Sequence, residues 1–399
     1  MPGAEIPRGA LDGIKVLSFA QLAAGPVGVQ LLADAGAEVI KIERPRTGSY
    51  ERAWAGANLF LNGESMFALA LNRNQRDLTV NMKDPRGMEI IQKLLPDVDV
   101  LVENFRPGVM ERLGLDYESV KQVNPQIIYC SATGYGAEGP YRDRAGQDLI
   151  LQGETGLAAG TGRKSDPPTP TGTAVIDIHC GALLAYGVMT ALFHRQRTGQ
   201  GQLLETSLIE AAIHMQVEPI TCTINGGDMR ERSETGMATT FHEAPYGIYE
   251  TADGWIVISI TTLEKLAEVL ELPELAEFTL EDAFERPDDI KPVIEAATRK
   301  QTTVAWTEHF ERNDMWFGIV CGYDEIEDHP QVKELGIIRT IEHPTAGPVK
   351  VLSNPVRFAK TPATYRRPPP RLGEHTGEIL RGLGYEETAI QVLRVEGVV

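Results

Sequence analysis

Cysteine is scarce in this chain: Cys130, Cys180, Cys222 and Cys321 lie far apart and form no CxxC pair. That excludes a dense disulfide framework and the clustered ligands of a closed zinc site, so no metal is expected and a reducing cytoplasm is the expected setting. Basic residues are also in short supply, 38 Lys plus Arg against 56 Asp plus Glu, for a net charge of -18. Such a surplus of carboxylates repels a phosphate backbone and argues against nucleic acid as the main partner. An anionic ligand then needs locally gathered cations. Long apolar runs are missing too. The longest, Ala182 to Phe193, contains Tyr186 and Gly187 and falls short of the ~18 residues of a membrane span, so a soluble protein is expected. The opening MPGAEIPRGALDG lacks the basic start, apolar run and cleavage site of an export signal.

What is present is alternation. Ile14 to Phe19 reads as a strand, Gly25 to Ala35 as a helix and Glu38 to Ile42 as a second strand. Further strands are expected at Leu78 to Met82, Val98 to Val102 and Gln126 to Ser131, with a helix from Pro85 to Leu95, where Pro suits the first turn. This βαβ pattern implies an α/β fold, a Rossmann-like large domain with a mostly parallel sheet and a ligand crevice beyond the strands' carboxyl ends. A helix from about Cys180 to Arg197 ends at Gly199, and another covers Ser207 to Val217. From about Asn225 the chain turns Gly-rich, and Tyr246 to Glu250 and Trp255 to Ile260 flank Asp253-Gly254 as a hairpin would. With helices at Leu263 to Leu270 and Val304 to Arg312, this reads as a smaller α+β domain. The expected division is 1–224 for the N-terminal part of the large domain, 225–328 for the small domain, and 329–399 for a tail returning to the large one. That tail shows β segments at Gly336 to Ile341 and Pro348 to Leu352, and a helix after Gly373.

Eight segments in order carry more than a fold. They are LDGIKVLSF, GAEVIKIERP, NRNQRDLTVNMK, DVLVENFRPGVMERLGL, YCSATGYGAEGPYRDRAGQDLILQ, TGTAVIDIHCG, RTGQGQLLETSLIEA and, near the end, LGEHTGEIL. In this series the chain resembles the class III CoA-transferases, the CaiB/BaiF type or formyl-CoA transferase-like family, from residue 11 to residue 380. The resemblance is thinnest over Asn225 to Asp328.

The resemblance implies a catalytic aspartate at Asp177. Read locally, an Asp before an apolar helix is an N-cap, held ionised by the helix dipole and nearby N–H groups, and such a carboxylate is also poised as a nucleophile. The implied reaction is acyl-CoA:carboxylate CoA transfer through an aspartyl anhydride and an aspartyl-CoA thioester, with CoA as substrate and no tightly bound cofactor. It further implies that Leu22, Arg44, Val80, Asn104, Phe105, Arg112 and Arg144 line the nucleotide and pantetheine path, with Asn104 a stronger contact than Phe105. The partners implied are an acyl-CoA, a carboxylic acid and a second copy of the chain. Members form interlocked homodimers, and the stretches near Met215 to Asn225 and Asp328 to Gly336 supply the linkers.

Three other readings compete. A Rossmann dehydrogenase fails at Gln21-Leu22-Ala23-Ala24-Gly25-Pro26, which lacks GxGxxG, although Glu43 stands where an acidic residue would bind ribose. An α-methylacyl-CoA racemase of the same fold pairs the aspartate with a His at the position of Gln147, and glutamine cannot exchange a proton near neutral pH. A non-catalytic CoA-binding scaffold would have no need of Asp177. His179, two residues past Asp177, is read as structural, whereas His242 and Gln147 are read as substrate contacts. The 225–246 stretch lacks the run of glycines expected for formyl-CoA and oxalate, having Gly226-Gly227 only.

Overall fold

The computed structural model describes residues 9–399; the reading of the opening segment as no export signal falls mostly on residues 1–8, outside those described. The chain divides into two compact units. The larger takes in residues up to Leu151, Ala174–Met215 and Pro330–Val399, and the smaller takes in Gln152–Thr173 and Gln216–His329. The stretches 152–173 and 216–224, expected with the large domain, therefore pack with the smaller unit. The first is largely a polar, Pro-rich connection, and the second is a helix, Val217–Ile224, whose partner no local pattern displays.

The larger unit is built on six strands: β1 (Lys15–Ser18), β2 (Glu38–Glu43), β3 (Gln75–Thr79), β4 (Val100–Glu103), β5 (Ile128–Thr133) and β6 (Gln202–Ser207). They lie in the order β3-β2-β1-β4-β5-β6, every neighbouring pair parallel. Strand order reverses between β1 and β4, which opens a crevice beyond their carboxyl ends. Side chains alternate between two apolar layers. Val100 and Val102 of β4 face one cluster with Val29, Leu184 and Val188, while Leu101 faces the other with Leu78, Ile90 and Leu380.

Helix α1 (Ala24–Asp34) follows β1, and α2 (Pro85–Leu94) starts on an Asp84 side-chain cap with Pro at its first position. Strand β3 begins three residues before its expected start, because Gln75 and Asp77 are buried polar residues that spoil the apolar pattern. Asp77 finds its partners in the tail, where Asp77 N–H donates to His375 Nδ1 (3.2 Å) and Gly373 N–H donates to the Asp77 carboxylate (2.6 Å), while the Gln75 side chain donates to Leu71 O (3.4 Å). The tail helices Thr376–Gly382 and Glu387–Val395 add Ile379, Leu380, Ile390 and Leu393 to the core.

One long helix closes the other layer. Helix α3 (Asp148–Glu154) precedes α4 (Val175–Thr198), which ends at Gly199 in the left-handed conformation (φ 74°). By length and composition α4 passes for a membrane-crossing helix. Inside this fold Ile176, Cys180, Leu184 and Val188 are buried, as in a core helix. It starts about five residues before its expected start. Helix α5 (Leu208–Met215) follows β6 directly.

In the smaller unit β7 (Gly247–Glu250) and β8 (Trp255–Ile258) form the expected hairpin, extended by β9 (Phe317–Ile319) into an antiparallel sheet. Tyr249, Ile256, Ile258, Leu266, Ile290, Trp306 and Phe310 make its core.

Candidate active site

Asp177 is the third residue of α4, whose N-cap is Ala174. It is thus inside the first turn and not its cap. The capping is tertiary: Asp148, itself buried, accepts from the backbone N–H of Ile176 (2.7 Å) and of Asp177 (3.2 Å) through one carboxylate oxygen. Asp148 is delivered there by a loop in which Gly134 and Gly146 touch backbone to backbone, so closely that a Cβ on Gly134 would lie 2.6 Å from the Gly146 Cα. The surroundings are apolar, with Ala24, Leu151, Ile176, Cys180 and Leu208 in one cluster and Tyr135 against it. Burial, and secondarily the Asp148 carboxylate, push the Asp177 carboxyl up to about 7. Burial thus works against the ionised state that the helix end was expected to favour.

α1 is brought against this turn by glycine. A Cβ on Gly28 would meet the Gly181 carbonyl at 2.7 Å, and one on Gly181 would meet the Ala24 carbonyl at 2.7 Å. The turn leading into α1 is held from β4. Asn104 Oδ1 accepts from Gln21 N–H (2.9 Å), and its Nδ2 donates to Gln21 O (2.8 Å). The amide expected to meet CoA is engaged in this clamp. The next residue, Leu22, is exposed and left-handed (φ 62°).

Beyond β2 and β4 lies a cavity of about 620 Å³, lined by Arg44, Arg46, Lys83, Phe105, Arg112 and Glu396 among others. Arg44, Phe105 and Arg112, expected along the CoA path, line this one cavity together, and the two arginines gather positive charge in an acidic chain. Lys83 was missed, although it ends the quoted segment NRNQRDLTVNMK. Val80 is fully buried in the core and does not open on this cavity, so its side chain makes no apolar contact there. Arg144 does not line the cavity either, and its guanidinium stacks over the Tyr141 ring at 3.6 Å. Gln147 is exposed, immediately before the Asp148 that caps α4.

One group that was not anticipated stands at the end of β4. Glu103, buried at the end of β4, accepts from Phe105 N–H (2.8 Å) and so fixes the start of the loop that carries Phe105 and Arg112. Burial raises its carboxyl to about 7 against the hydrogen bonds from Ser131 and Phe105. His179 is not idle: its Nε2 lies 2.9 Å from His214 Nδ1, with the rings stacked. In the smaller unit, His242 Nδ1 meets Thr239 Oγ1 (3.1 Å), its Nε2 meets the Glu218 carboxylate (3.3 Å), and its ring packs on Phe241 and Tyr246. Among the described residues no group of three or more His, Cys, Asp or Glu is placed to hold a metal ion.

Among the described residues the larger unit sets cations with no carboxylate partner around a cavity at one end of a parallel sheet, and a part-buried carboxylate in the first turn of a helix. The chain belongs to CoA-transferase family III, whose model matches residues 11–376. It is 34% identical over 402 residues to the succinyl-CoA:glutarate CoA-transferase of Mus musculus, covering 98% of this chain and 90% of that one. It is 33% identical to the succinyl-CoA–D-citramalate CoA-transferase of Chloroflexus aurantiacus, covering 98% and 99%. The crystal structure of a CAIB/BAIF family protein from Brucella suis superimposes with a TM-score of 0.83 at 30% identity, covering 94% of this chain and 100% of that chain. This is a class III CoA-transferase, acting on acyl-CoA and carboxylic acid substrates.

Proposed function

We propose that Asp177 is the nucleophile of an acyl-CoA:carboxylate CoA transfer that passes through two covalent enzyme species. The observation that carries this reading is the place of Asp177 in the first turn of α4, beside the apolar cluster of Ala24, Leu151, Ile176 and Cys180 and next to the α1 entry turn. A carboxylate stripped of water is a stronger nucleophile, and a dry site protects intermediates that water would hydrolyse.

A carboxylate oxygen of Asp177 attacks the thioester carbonyl of the donor, the C–S bond breaks, and an aspartyl acyl anhydride and CoA thiolate form. The thiolate attacks the Asp177 acyl carbon of the anhydride and releases the donor acid, leaving an aspartyl-CoA thioester. The acceptor carboxylate attacks that thioester, expels the thiolate and forms a second anhydride. The thiolate then takes the acceptor acyl group, restoring the Asp177 carboxylate. No proton, electron or ATP is consumed. Gln147 has no proton to exchange at neutral pH, which disfavours the racemase chemistry.

The donors and acceptors in this reading are small carboxylic acids. The mouse and Chloroflexus relatives are succinyl-CoA enzymes by name, so succinyl-CoA with glutarate is the first pair to test. Incubation with succinyl-CoA and then hydroxylamine should place a hydroxamate at residue 177 by peptide mapping, and Asp177→Asn should fold and bind CoA yet lose transfer. Only the ionised carboxylate attacks, so the rate for the substrate-free enzyme should fall as pH drops through about 7, where Asp177 takes up its proton. An adduct elsewhere, or full activity in the Asn variant, sinks the mechanism; racemisation of a 2-methylacyl-CoA without any adduct would favour the racemase instead.

An obligate homodimer belongs to the same reading. Its support is the apolar side of α4 and α5 left open in the single chain, where Ile178, Tyr186, Met189, Phe193 and Ile213 are exposed. Light scattering that found a folded monomer at micromolar concentration would contradict it.

A further inference from the structure

Lys41 and Glu51 are the most deeply hidden ion pair of the larger unit that the transfer chemistry leaves unused. Their side chains are 1% and 0% exposed, with Lys41 Nζ 2.8 Å from Glu51 Oε1. Neither faces the cavity of Arg44 and Arg112. Their remaining bonds all go to one turn. Lys41 Nζ donates to Ala20 O (3.0 Å), and Glu51 Oε2 accepts from Leu22 N–H (3.1 Å). With Asn104 holding both the N–H and the C=O of Gln21, and Ser18 Oγ accepting from Ala20 N–H (3.3 Å), the backbone of three consecutive residues is fastened by side chains from β1, β2, β4 and the Tyr50–Ala53 turn.

The turn needs that hold. Leu22 has φ 62°, a conformation that costs a non-glycine residue about 1 kcal/mol or more and persists only where the surroundings impose it. It stands at the carboxyl end of β1, where the strand order reverses, with its side chain exposed. The residues that follow open α1, whose Ala24 carbonyl lies against Gly181 one turn along α4 from Asp177. A buried ion pair is a poor source of net stability and a good means of fixing geometry.

We infer that Lys41 and Glu51 are positioning residues for the transfer reaction: through the Glu51 bond to Leu22 N–H they hold the entry turn of α1 in the left-handed form that aligns the thioester with the first turn of α4. The inference rests on the cleft assigned above but not on Asp177 being the attacking atom.

Two paired variants separate positioning from mere structure. Lys41→Met/Glu51→Gln and Lys41→Met/Glu51→Leu both remove the ion pair, and neither leaves a single buried charge. Only glutamine still accepts from Leu22 N–H. With succinyl-CoA and glutarate as probes, the Gln pair should stay within about threefold of wild-type kcat. The Leu pair should fall by about tenfold or more, with KM for succinyl-CoA changed by less than about threefold, as misalignment predicts. Equal kcat in the two pairs overturns the inference, and so does a KM that rises by the factor by which kcat falls. Hydrogen exchange on the wild type needs no variant: the Gln21 and Leu22 amides should already exchange slowly without CoA, and amides protected only after CoA is added would equally overturn it. If Asp177→Asn kept its activity, the nucleophile reading would fail while the gap between the two pairs still reported on Leu22.

Discussion

In the larger unit Lys41, Glu43, Glu51, Asp77, Asp34 and Arg73 are all buried and all joined in ion pairs, whereas the ion pairs of the smaller unit, such as Arg286–Asp282 and Arg299–Glu250, run between partly or largely exposed side chains. The one buried lysine of the smaller unit, Lys291, donates to the Thr235 and Gly236 carbonyls. The buried pairs share a pattern. Besides each other they hold backbone: Ala20 and Leu22 by Lys41 and Glu51, Ser49 by Glu43, Pro370 by Arg52, Gly373 by Asp77, and Leu352 by Arg73. Those segments border the crevice or belong to the returning tail. Burial of a pair brings little net stability but fixes the loops it touches, and in this molecule the unit that carries Asp177 uses it.

The comparison breaks most visibly at Arg52. Its guanidinium donates to both Glu43 oxygens (2.7 to 3.0 Å) and reaches Asp77 at 3.4 Å. Although burial raises a carboxyl, the hydrogen bond with Asp77 and the charges of Lys41 and Arg52 hold Glu43 well below the usual range, while burial and Glu43 push Asp77 up. Arg52→Met leaves those two carboxyls facing each other with less compensation, which should cost about 3 to 5 kcal/mol, as for a broken buried pair. Arg299, whose side chain is 54% exposed, pairs with Glu250 at 2.6 Å, and Arg299→Met should change stability by no more than about 1 kcal/mol. Urea midpoints of the two variants check the contrast. Equal midpoints would mean that the buried network does not distinguish the units.

Much of the larger unit was legible because apolar strands and helices announce themselves locally. β1, α1 and β2 stand within about two residues of their expected bounds. The misplacements share one cause, in that a distant partner satisfies what looks locally wrong. Strand β3 carries Asp77 in its interior because the tail, some 300 residues on, supplies its bonds. Helix α4 starts before Cys180 because Asp148 caps it across 28 residues, an arrangement that no local capping pattern displays. The site was legible in the same uneven way. The motifs pointed to Asp177, Arg44 and Arg112, but they gave no sign that Asn104 is engaged with Gln21, that Val80 is core, or that burial raises Asp177. In the smaller unit the elements were readable and the chemistry was not, because His242 and Glu218 meet only through folding.

The cations of the cleft sharpen the comparison from the other side. Arg44, Lys83 and Arg112 are exposed, line the 620 Å³ cavity beside Phe105, and have no carboxylate partner among the described residues. Unlike Arg52, they hold no backbone in place, so their removal should leave stability nearly unchanged and fall on the ligand instead. A phosphate oxygen that loses a charge-assisted hydrogen bond loses about 1 to 3 kcal/mol, so Lys83→Ala or Arg112→Ala should weaken CoA by about 5- to 150-fold in calorimetry. Added salt should weaken wild-type binding in the same direction. The phosphates lie far along the CoA chain from the reacting carbonyl, and groups that bind ground and transition states equally raise KM without lowering kcat. The expected signature is therefore a higher KM for the acyl-CoA with kcat nearly unchanged, the reverse of the split expected for Lys41 and Glu51. Arg76 is the control, an arginine already paired with Glu38 and Glu378 away from the cavity, and Arg76→Ala should leave CoA affinity as it was. Should Lys83→Ala and Arg112→Ala behave like Arg76→Ala, the cavity would not be the nucleotide end of the site, and the free cations of the larger unit would carry no more function than the surface pairs of the smaller one.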